Sequence, residues 1–347
     1  MDGRVSHVSD QDSAALTALG WSAFFDDQRG PDEAALLPMR IATVHRARVG
    51  AQSVAGPVRL VLPPPASSAD LAVGDWVLVD ADSRALVRRL DRRTVLRRRT
   101  EGGRGPQLIA ANVDTLFIVS SCNEDLNIAR LERYLVLANE AGTTPVIVLT
   151  KVDRVADAAP YRDAVAGLQR GLAVVALNAT APEAVHALAP WCGAGRTVAL
   201  VGSSGVGKSS LLNTLAAKAP EDAQPTGAIR EADAKGRHTT TSRSLHAIAA
   251  GGWVIDTPGM RTLHVSDVST GLDALFAEIA ERAPACRFRD CTHAHEPGCA
   301  VRAAVADGTL DPARLERWRK LLEENRANTP VLSGPHGNRT MKPRPGR

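Results

Sequence analysis

Gly202-Ser-Ser-Gly-Val-Gly-Lys-Ser209 follows an apolar run, Thr197-Val-Ala-Leu-Val201, and leads into Ser210-Leu-Leu-Asn-Thr-Leu215. Strand, glycine-rich turn and helix, in that order, distinguish a phosphate-binding G-x-x-x-x-G-K-[ST] loop from an ordinary Gly/Ser turn. Gly202, Gly205 and Gly207 let the backbone curl so that its N–H groups face phosphate oxygens, and the helix starting near Lys208 adds its positive end. The candidate nucleotide contacts run from Gly202 to Ser210 and take in Ser203, Ser204 and Val206. Lys208 would reach the β- and γ-phosphates and the Ser209 hydroxyl would hold Mg²⁺.

Working outward, the apolar segments on both sides of this loop alternate between strand and helix. Asp114–Ser120, Pro145–Leu149, Leu172–Ala176 and Trp253–Ile255 are expected strands. Helices are expected at Leu126–Gly142 and Tyr161–Gly171. Such alternation implies a doubly wound, mostly parallel sheet. Upstream, Arg40–His45, Val58–Leu62, Trp76–Val79 and Ala85–Leu90 are short strands, with turn-forming stretches at Val49–Gly56, Pro63–Asp70 and Asp80–Ser83. That spacing suggests a small β-barrel compatible with an OB-fold. Trp76 is its one aromatic residue, so phosphate or shape recognition is expected there, not base stacking. Residues 1–37 are expected to form a partly mobile arm and 325–347 a disordered basic tail, so the expected domains are 38–100, 108–268 and 269–324.

With 347 residues, 44% hydrophobic and 23% charged, the chain has the composition of a multidomain globular protein. No apolar run approaches the ~20 residues of a membrane span and no signal-peptide core precedes the fold, so a cytoplasmic, non-membrane protein is expected. The net charge of +4 is unevenly spread: nine arginines lie between Arg84 and Arg104 against Asp91 and Glu101. The tail after Glu324 carries five basic residues and no acid. Two basic blocks in one chain point to a polyanionic partner.

The nucleotide is specified by Thr150-Lys151-Val152-Asp153, directly after an expected strand, which resembles the Asn/Thr-Lys-x-Asp element of GTPases. Asp153 would accept hydrogen bonds from guanine N1–H and its 2-amino group, and the Lys151 stem would lie along the base. A carboxylate left without those donors is costly, so adenine is rejected. Asp256-Thr-Pro-Gly259 resembles the D-x-P-G element: Asp256 would reach Mg²⁺ through water and the Gly259 N–H would meet the γ-phosphate. Gly236-Arg-His-Thr-Thr-Thr241 lies between them, where switch I belongs. Thr240 is the candidate Mg²⁺ ligand there, with Thr239 and Thr241 as alternatives. The Ala179 N–H would meet guanine O6, although Asn178 stands where Ser is usual. The order is permuted, because base-reading loops precede phosphate loops. Loops at the carboxyl ends of neighbouring strands tolerate this rearrangement.

Beyond the switch, Cys286-x4-Cys291-x-His293-x5-Cys299 is a Cys₃His set within fourteen residues. Thiolates and imidazole suit a closed, structural Zn²⁺ site, and His295 is a possible substitute for His293. The whole order, T-K-x-D, P-loop, G-R-H-T-T-T, D-x-P-G and the cysteine set behind a small barrel, resembles the RsgA (YjeQ-type) family of circularly permuted GTPases over residues 38–322. The resemblance implies GTP/GDP, Mg²⁺ and one Zn²⁺. It also implies weak intrinsic GTP hydrolysis that rises on the 30S subunit, contact with 16S rRNA, and a role in late subunit maturation and the release of other assembly factors. A monomer is expected. Proteins of this type lack the catalytic glutamine after D-x-P-G, where Met260 stands here. His238, beside the switch threonines, is the candidate to position the attacking water, with Lys208 and Thr240 completing the catalytic set. Two alternatives are a nucleotide-gated rRNA-binding scaffold in which hydrolysis is incidental, and a P-loop ATPase acting on DNA.

Overall fold

Alternating burial organises the amino-terminal third. The computed structural model describes residues 10–45, 48–98, 107–217, 243–257, 266–329, 332–333 and 339–340. Helices α1 (Asp10–Ala18) and α2 (Ala23–Asp26) precede five barrel strands: β1 (Leu37–His45), β2 (Arg48–Ser53), β3 (Gly56–Leu60), β4 (Trp76–Val79) and β5 (Leu86–Arg89). All their pairings are antiparallel, with β1 between β2 and β4. Met39, Ile41, Val49, Ala51, Leu60, Val77 and Val79 fill the barrel. β2 corrects the expected turn at Val49–Gly56: Val49, Ala51 and Ser53 are buried alternately, a period-two signal weakened by small residues.

The arm expected to be partly mobile is packed over residues 10–36. Leu16, Leu19 and Phe25 are buried against Trp76, Leu78 and Leu90, and the Trp21 and Trp76 rings meet edge-on at 4.8 Å. Trp76 is therefore 1% exposed and has no face to offer a base. Arg40 on β1 locks this region together, donating to Leu19 O at 2.6 Å and to Thr197 Oγ1 at 2.7 Å. Burial lowers its guanidinium pKa to about 10, so the group stays charged and its hydrogen bonds to the arm and to the next domain's strand are obligatory.

The described part of the arginine-rich bridge is also structured. β6 (Val95–Arg98) and β7 (Gln107–Ala111) form a hairpin. Arg88 pairs with Glu33 at 2.5 Å, Arg92 pairs with fully buried Asp75 at 2.6 Å, and Arg93 pairs with Asp114. These three arginines hold the fold together and are not a free face for a polyanion. Gly74, before Asp75, has φ +94°, and an added Cβ would lie 2.1 Å from Ala111 O. Gly74→Ala is expected to cost about 2–4 kcal/mol, because backbone must move as well as strain. Its denaturation midpoint should fall well below that of the wild type, and an unchanged midpoint would refute the clash.

The second domain runs β8 (Thr115–Ser121), α3 (Ile128–Glu140), β9 (Thr144–Thr150), α4 (Ala159–Ala166), β10 (Ala173–Ala176), α5 (Glu183–Cys192), β11 (Thr197–Val201), α6 (Lys208–Leu215), β12 (Ser244–Ala247) and β13 (Trp253–Asp256). The parallel order is β10-β9-β8-β11-β13, with β12 antiparallel beside β13. β1 pairs with β12, so barrel and G domain share one continuous sheet. β8 and β11 are buried throughout, as near-continuous apolar runs covered on both faces must be. On one face lie α5 and α6 through Ala184, Leu188, Leu211, Leu212 and Leu215. On the other lies α3, which Asn127 caps by accepting from Arg130 N at 2.9 Å, and which buries Leu131, Leu135 and Ala138.

The carboxyl-terminal part is helical: α7 (Ser269–Leu275), α8 (Ala277–Ala280), α9 (Ala300–Ala306) and α10 (Pro312–Asn328). These helices bury Leu272, Leu275, Phe276, Val301 and Leu315 against the α3 side. α10 extends beyond the expected end at Glu324. Its last turn is tied to the segment before α7, where Val268 N donates to Asn325 Oδ1 at 3.2 Å and Asp267 N to Thr329 Oγ1 at 2.8 Å. Leu332–Ser333 pairs with Arg339–Thr340, within the tail expected to be disordered. Among the described residues no helix is long and apolar enough to cross a membrane.

Candidate functional site

The carboxyl end of β11 lies between the ends of β8 and β13, and the chain leaves it at Gly202. There φ is +143°, and an added Cβ would lie 2.2 Å from Val119 O on β8, so only glycine permits this exit. Gly205 and Gly207 follow with φ +78° and +97°. Lys208 opens α6 and donates from Nζ to Gly202 O at 2.8 Å and to Ser203 O. Curled backbone, an ammonium group and a helix amino end therefore converge, which suits a polyphosphate. Ser209 lies in the first helical turn. Asp256 is registered opposite Leu200 at the end of the neighbouring strand, and buried Thr257 donates to Leu200 O to fasten that end. An oxygen pair from Ser209 and Asp256 matches the hard-ligand preference of Mg²⁺. His238, Thr240, Gly259 and Met260 lie outside the described residues.

The loops expected to read the base adjoin this cradle. Thr150 is fully buried at the end of β9; its Oγ1 donates to Val206 O at 2.5 Å and lies 3.1 Å from Ser120 O. Thr150 thus supplies a hydroxyl that clips the loop Lys151–Asp153 to the P-loop. Lys151 takes φ +59° and opens a single 3₁₀ turn, Val152–Arg154, which presents Asp153 at the surface. Ala179 is buried, and its carbonyl accepts from Thr214 Oγ1 on α6 at 2.8 Å. Asn178 Oδ1 accepts from Thr180 N at 3.0 Å, an Asx turn that shapes the loop in place of serine. Sequence reading missed Thr214 and the partner of Thr150, because both bonds join loops far apart in the chain.

A cleft of about 480 Å³ flanks the P-loop, lined by Ser203–Val206, Lys151, Glu124 and Arg130. Arg130 Nη1 donates to Ser203 Oγ at 2.5 Å. Its position in an ordinary amphipathic helix carries no motif that would mark it.

Cys286, Cys291, His293 and Cys299 bring their ligand atoms within 4.8 Å of one another. Cys286 Sγ lies 3.5 Å from His293 Nδ1 and 3.9 Å from Cys299 Sγ, and His293 Nδ1 lies 3.3 Å from Cys299 Sγ. A tetrahedral site with Zn–S bonds of 2.3 Å has edges of about 3.8 Å, so the separations among Cys286, His293 and Cys299 fit zinc, with Cys291 within 4.8 Å of them. His293, not the exposed His295, enters the cluster. Burial holds the His293 pKa below its ordinary value, which favours the neutral imidazole that a metal requires. Trp318 packs 5.3 Å from its ring, and Arg319 donates to its carbonyl.

A family model described as "RsgA GTPase" matches residues 89–266. The "Small ribosomal subunit biogenesis GTPase RsgA" of Mesorhizobium japonicum is 68% identical over 325 residues, which is 94% of each chain. The protein named "Small ribosomal subunit biogenesis GTPase RsgA 2" in Vibrio vulnificus is 48% identical over 92% of this chain and 90% of its own. Among solved structures, YjeQ from Thermotoga maritima superposes with a TM-score of 0.59 at 24% identity, covering 83% of this chain and 98% of that one. YloQ, described as a circularly permuted GTPase, gives 0.60 at 23% identity over 87% and 99%. At those identities the likeness concerns the fold: barrel, permuted G domain and helical C-terminal part. GTP or GDP with Mg²⁺ is what a GTPase family binds. The family match and the near full-length relatives place this chain in the RsgA GTPase family, as a GTP-hydrolysing enzyme with a circularly permuted G domain.

Proposed function

We propose that this chain is a cytoplasmic, monomeric GTPase that acts on the 30S ribosomal subunit late in its maturation, contacting 16S rRNA and promoting release of other assembly factors. The observation that carries this reading is 68% identity, over 94% of both chains, to a protein named for small-subunit biogenesis. The site is in keeping with it. Asp153 and the stem of Lys151 read guanine, and the Ala179 N–H meets O6. The loop Gly202–Ser210 and Lys208 hold the phosphates, and the Gly259 N–H meets the γ-phosphate. Ser209, Thr240 and Asp256 hold Mg²⁺, which when bound offsets charge that develops on the transferred phosphoryl group. Cys286, Cys291, His293 and Cys299 hold a structural zinc. Residues 38–100, 108–268 and 269–324 are the three units that dock on the particle.

Met260 stands after D-x-P-G and has no polar group to orient water, so the chain alone turns over slowly. His238 positions that water on the subunit. Steady-state hydrolysis of GTP and ATP, each with and without purified 30S subunits, tests the reading. GTP-only turnover that is slow alone and at least tenfold faster with 30S is expected. His238→Ala should keep GTP binding and lose the stimulated rate. No stimulation of the wild type would remove the 30S subunit as the activating partner, and full stimulation of His238→Ala would remove the histidine from the mechanism.

A further inference from the structure

Three neighbouring side chains in the first half of α3 reach two parts of the molecule, the P-loop and α10. Arg130 donates to Ser203 Oγ of the P-loop at 2.5 Å. Glu132, two residues on, is 1% exposed, and its Oε1 accepts from Arg314 Nη1 at 3.1 Å and Arg317 Nε at 2.9 Å, both on α10. Arg133 grips Glu324 of α10 with Nε and Nη2, at 2.9 and 2.7 Å from the same carboxylate oxygen. At the far end of α3, Glu140 Oε2 accepts from Gly271 N at 2.7 Å and holds the start of α7. α10 in turn carries Trp318 and Arg319, which pack against and hydrogen-bond His293 of the cysteine cluster.

We propose that Arg130 is a positioning residue for GTP hydrolysis, through which α3 couples the metal-cluster side of the molecule to the P-loop. The physical reason lies in the cost of separation. A buried carboxylate cannot lose both guanidinium partners without exposing an uncompensated charge, so Glu132 makes α3 and α10 move together. Arg314 is itself held from three sides: it donates to Glu278 at 2.7 Å and to Leu275 O at 2.6 Å, and its guanidinium lies 4.1 Å from the Phe276 ring centroid. An α-helix is stiff over one turn, with about 1.5 Å of rise per residue, so displacement at 132 and 133 reaches 130 almost undiminished. There it acts on the second residue of the phosphate loop, whose backbone borders the phosphates. A partner that shifts α10 therefore reaches the phosphate loop by a route separate from the D-x-P-G segment.

The inference rests on the proposed function where 30S serves as the partner, and the test separates the two. Arg130 is exposed at the start of a helix, so Arg130→Ala should fold with an unchanged melting midpoint. In the full-length, zinc-loaded chain, Arg130→Ala is expected to lower the 30S-stimulated kcat at least tenfold, with KM for GTP and affinity for 30S within threefold of wild type. Arg130→Lys, which keeps the charge but not the planar fork, should recover part of the loss. Arg133→Ala, which outside its own helix removes the grip on Glu324 of α10, should lower kcat in the same direction. The double variant should lose no more than the larger single effect, because both act along one line. Stimulated kcat at wild-type level in Arg130→Ala, or independent, multiplicative losses in the double variant, would overturn the coupling. If 30S fails to stimulate the wild type, the proposed function fails, and the same cycle on intrinsic kcat decides the coupling alone: effects multiplying to within threefold would overturn it.

Discussion

Asp153→Asn is expected to raise the Kd for GTP by about a hundredfold or more and to shift preference toward XTP. In the proposed function the carboxylate accepts from two guanine donors, N1–H and the 2-amino group. A neutral amide turns one of its two heteroatoms from acceptor to donor and opposes a like group on the base. Hydrogen bonds to a charged acceptor are worth about 1.5–3 kcal/mol, and a mismatched polar group costs more, so two lost together reach this range. Xanthine carries a carbonyl in place of the 2-amino group and offers the acceptor that asparagine's amide seeks. Asp153 is exposed on its 3₁₀ turn, so folding should be unaffected, and a thermal scan serves as the control. Titration with fluorescent GTP and XTP analogues measures both halves. Unchanged GTP affinity with no gain for XTP would take Asp153 out of base recognition.

Removal of zinc is expected to have the second large effect. Cys299→Ser, or prolonged chelation, should take the chain from one bound zinc to almost none and render the segment around Cys286–Cys299 sensitive to protease. The reason is local poverty of core. Between Arg287 and Gly298 only His293 is buried, while Arg287, Phe288, Arg289 and Asp290 are exposed. A stretch with so little to bury cannot offset its own ordering entropy, and the metal bonds supply the difference. Apparent binding energies of structural zinc in small clasps are on the order of 10 kcal/mol, so loss of one ligand is decisive locally. The barrel and the α5–α6 face beneath the P-loop have cores apart from the cysteine cluster, so GTP affinity should be kept. Elemental analysis paired with limited proteolysis reads the outcome. A chelated chain that resists protease as well as the wild type would show that the cluster needs no metal.

Local chemistry and distant chemistry differed in legibility. The P-loop, Thr150–Asp153, Asp256–Gly259 and Cys286–Cys299 each compress a function into a few consecutive residues, so spacing alone exposes them. The strands β8, β9, β11 and β13 are short apolar runs bounded by turn residues, and they stand where sequence reading expected them. β2 was hidden because its inward residues are small. The β6–β7 hairpin was hidden because arginines outside a strand and arginines in solvent read alike. The same ambiguity made Arg88, Arg92 and Arg93 look like a surface for phosphate, although each has a carboxylate partner from another segment.

By itself, then, the amino-acid order determined which chemical groups are present and which loops carry them: a glycine-rich phosphate loop, the Thr150–Asp153 loop proposed to read guanine, and a Cys₃His cluster, in permuted order. Periodicity and contiguity are short-range properties, and they survive in a one-dimensional reading. Only the tertiary structure decided that Thr150 clips the base loop to the P-loop, that Arg40 fastens arm and barrel to the G domain, and that α3 joins Ser203 to α10. Each of those is a hydrogen bond or ion pair between residues tens to nearly two hundred positions apart. Arginine, threonine and glutamate carry the same pattern whether solvated or buried; what distinguishes them is the partner that folding brings within 3 Å and the water it excludes.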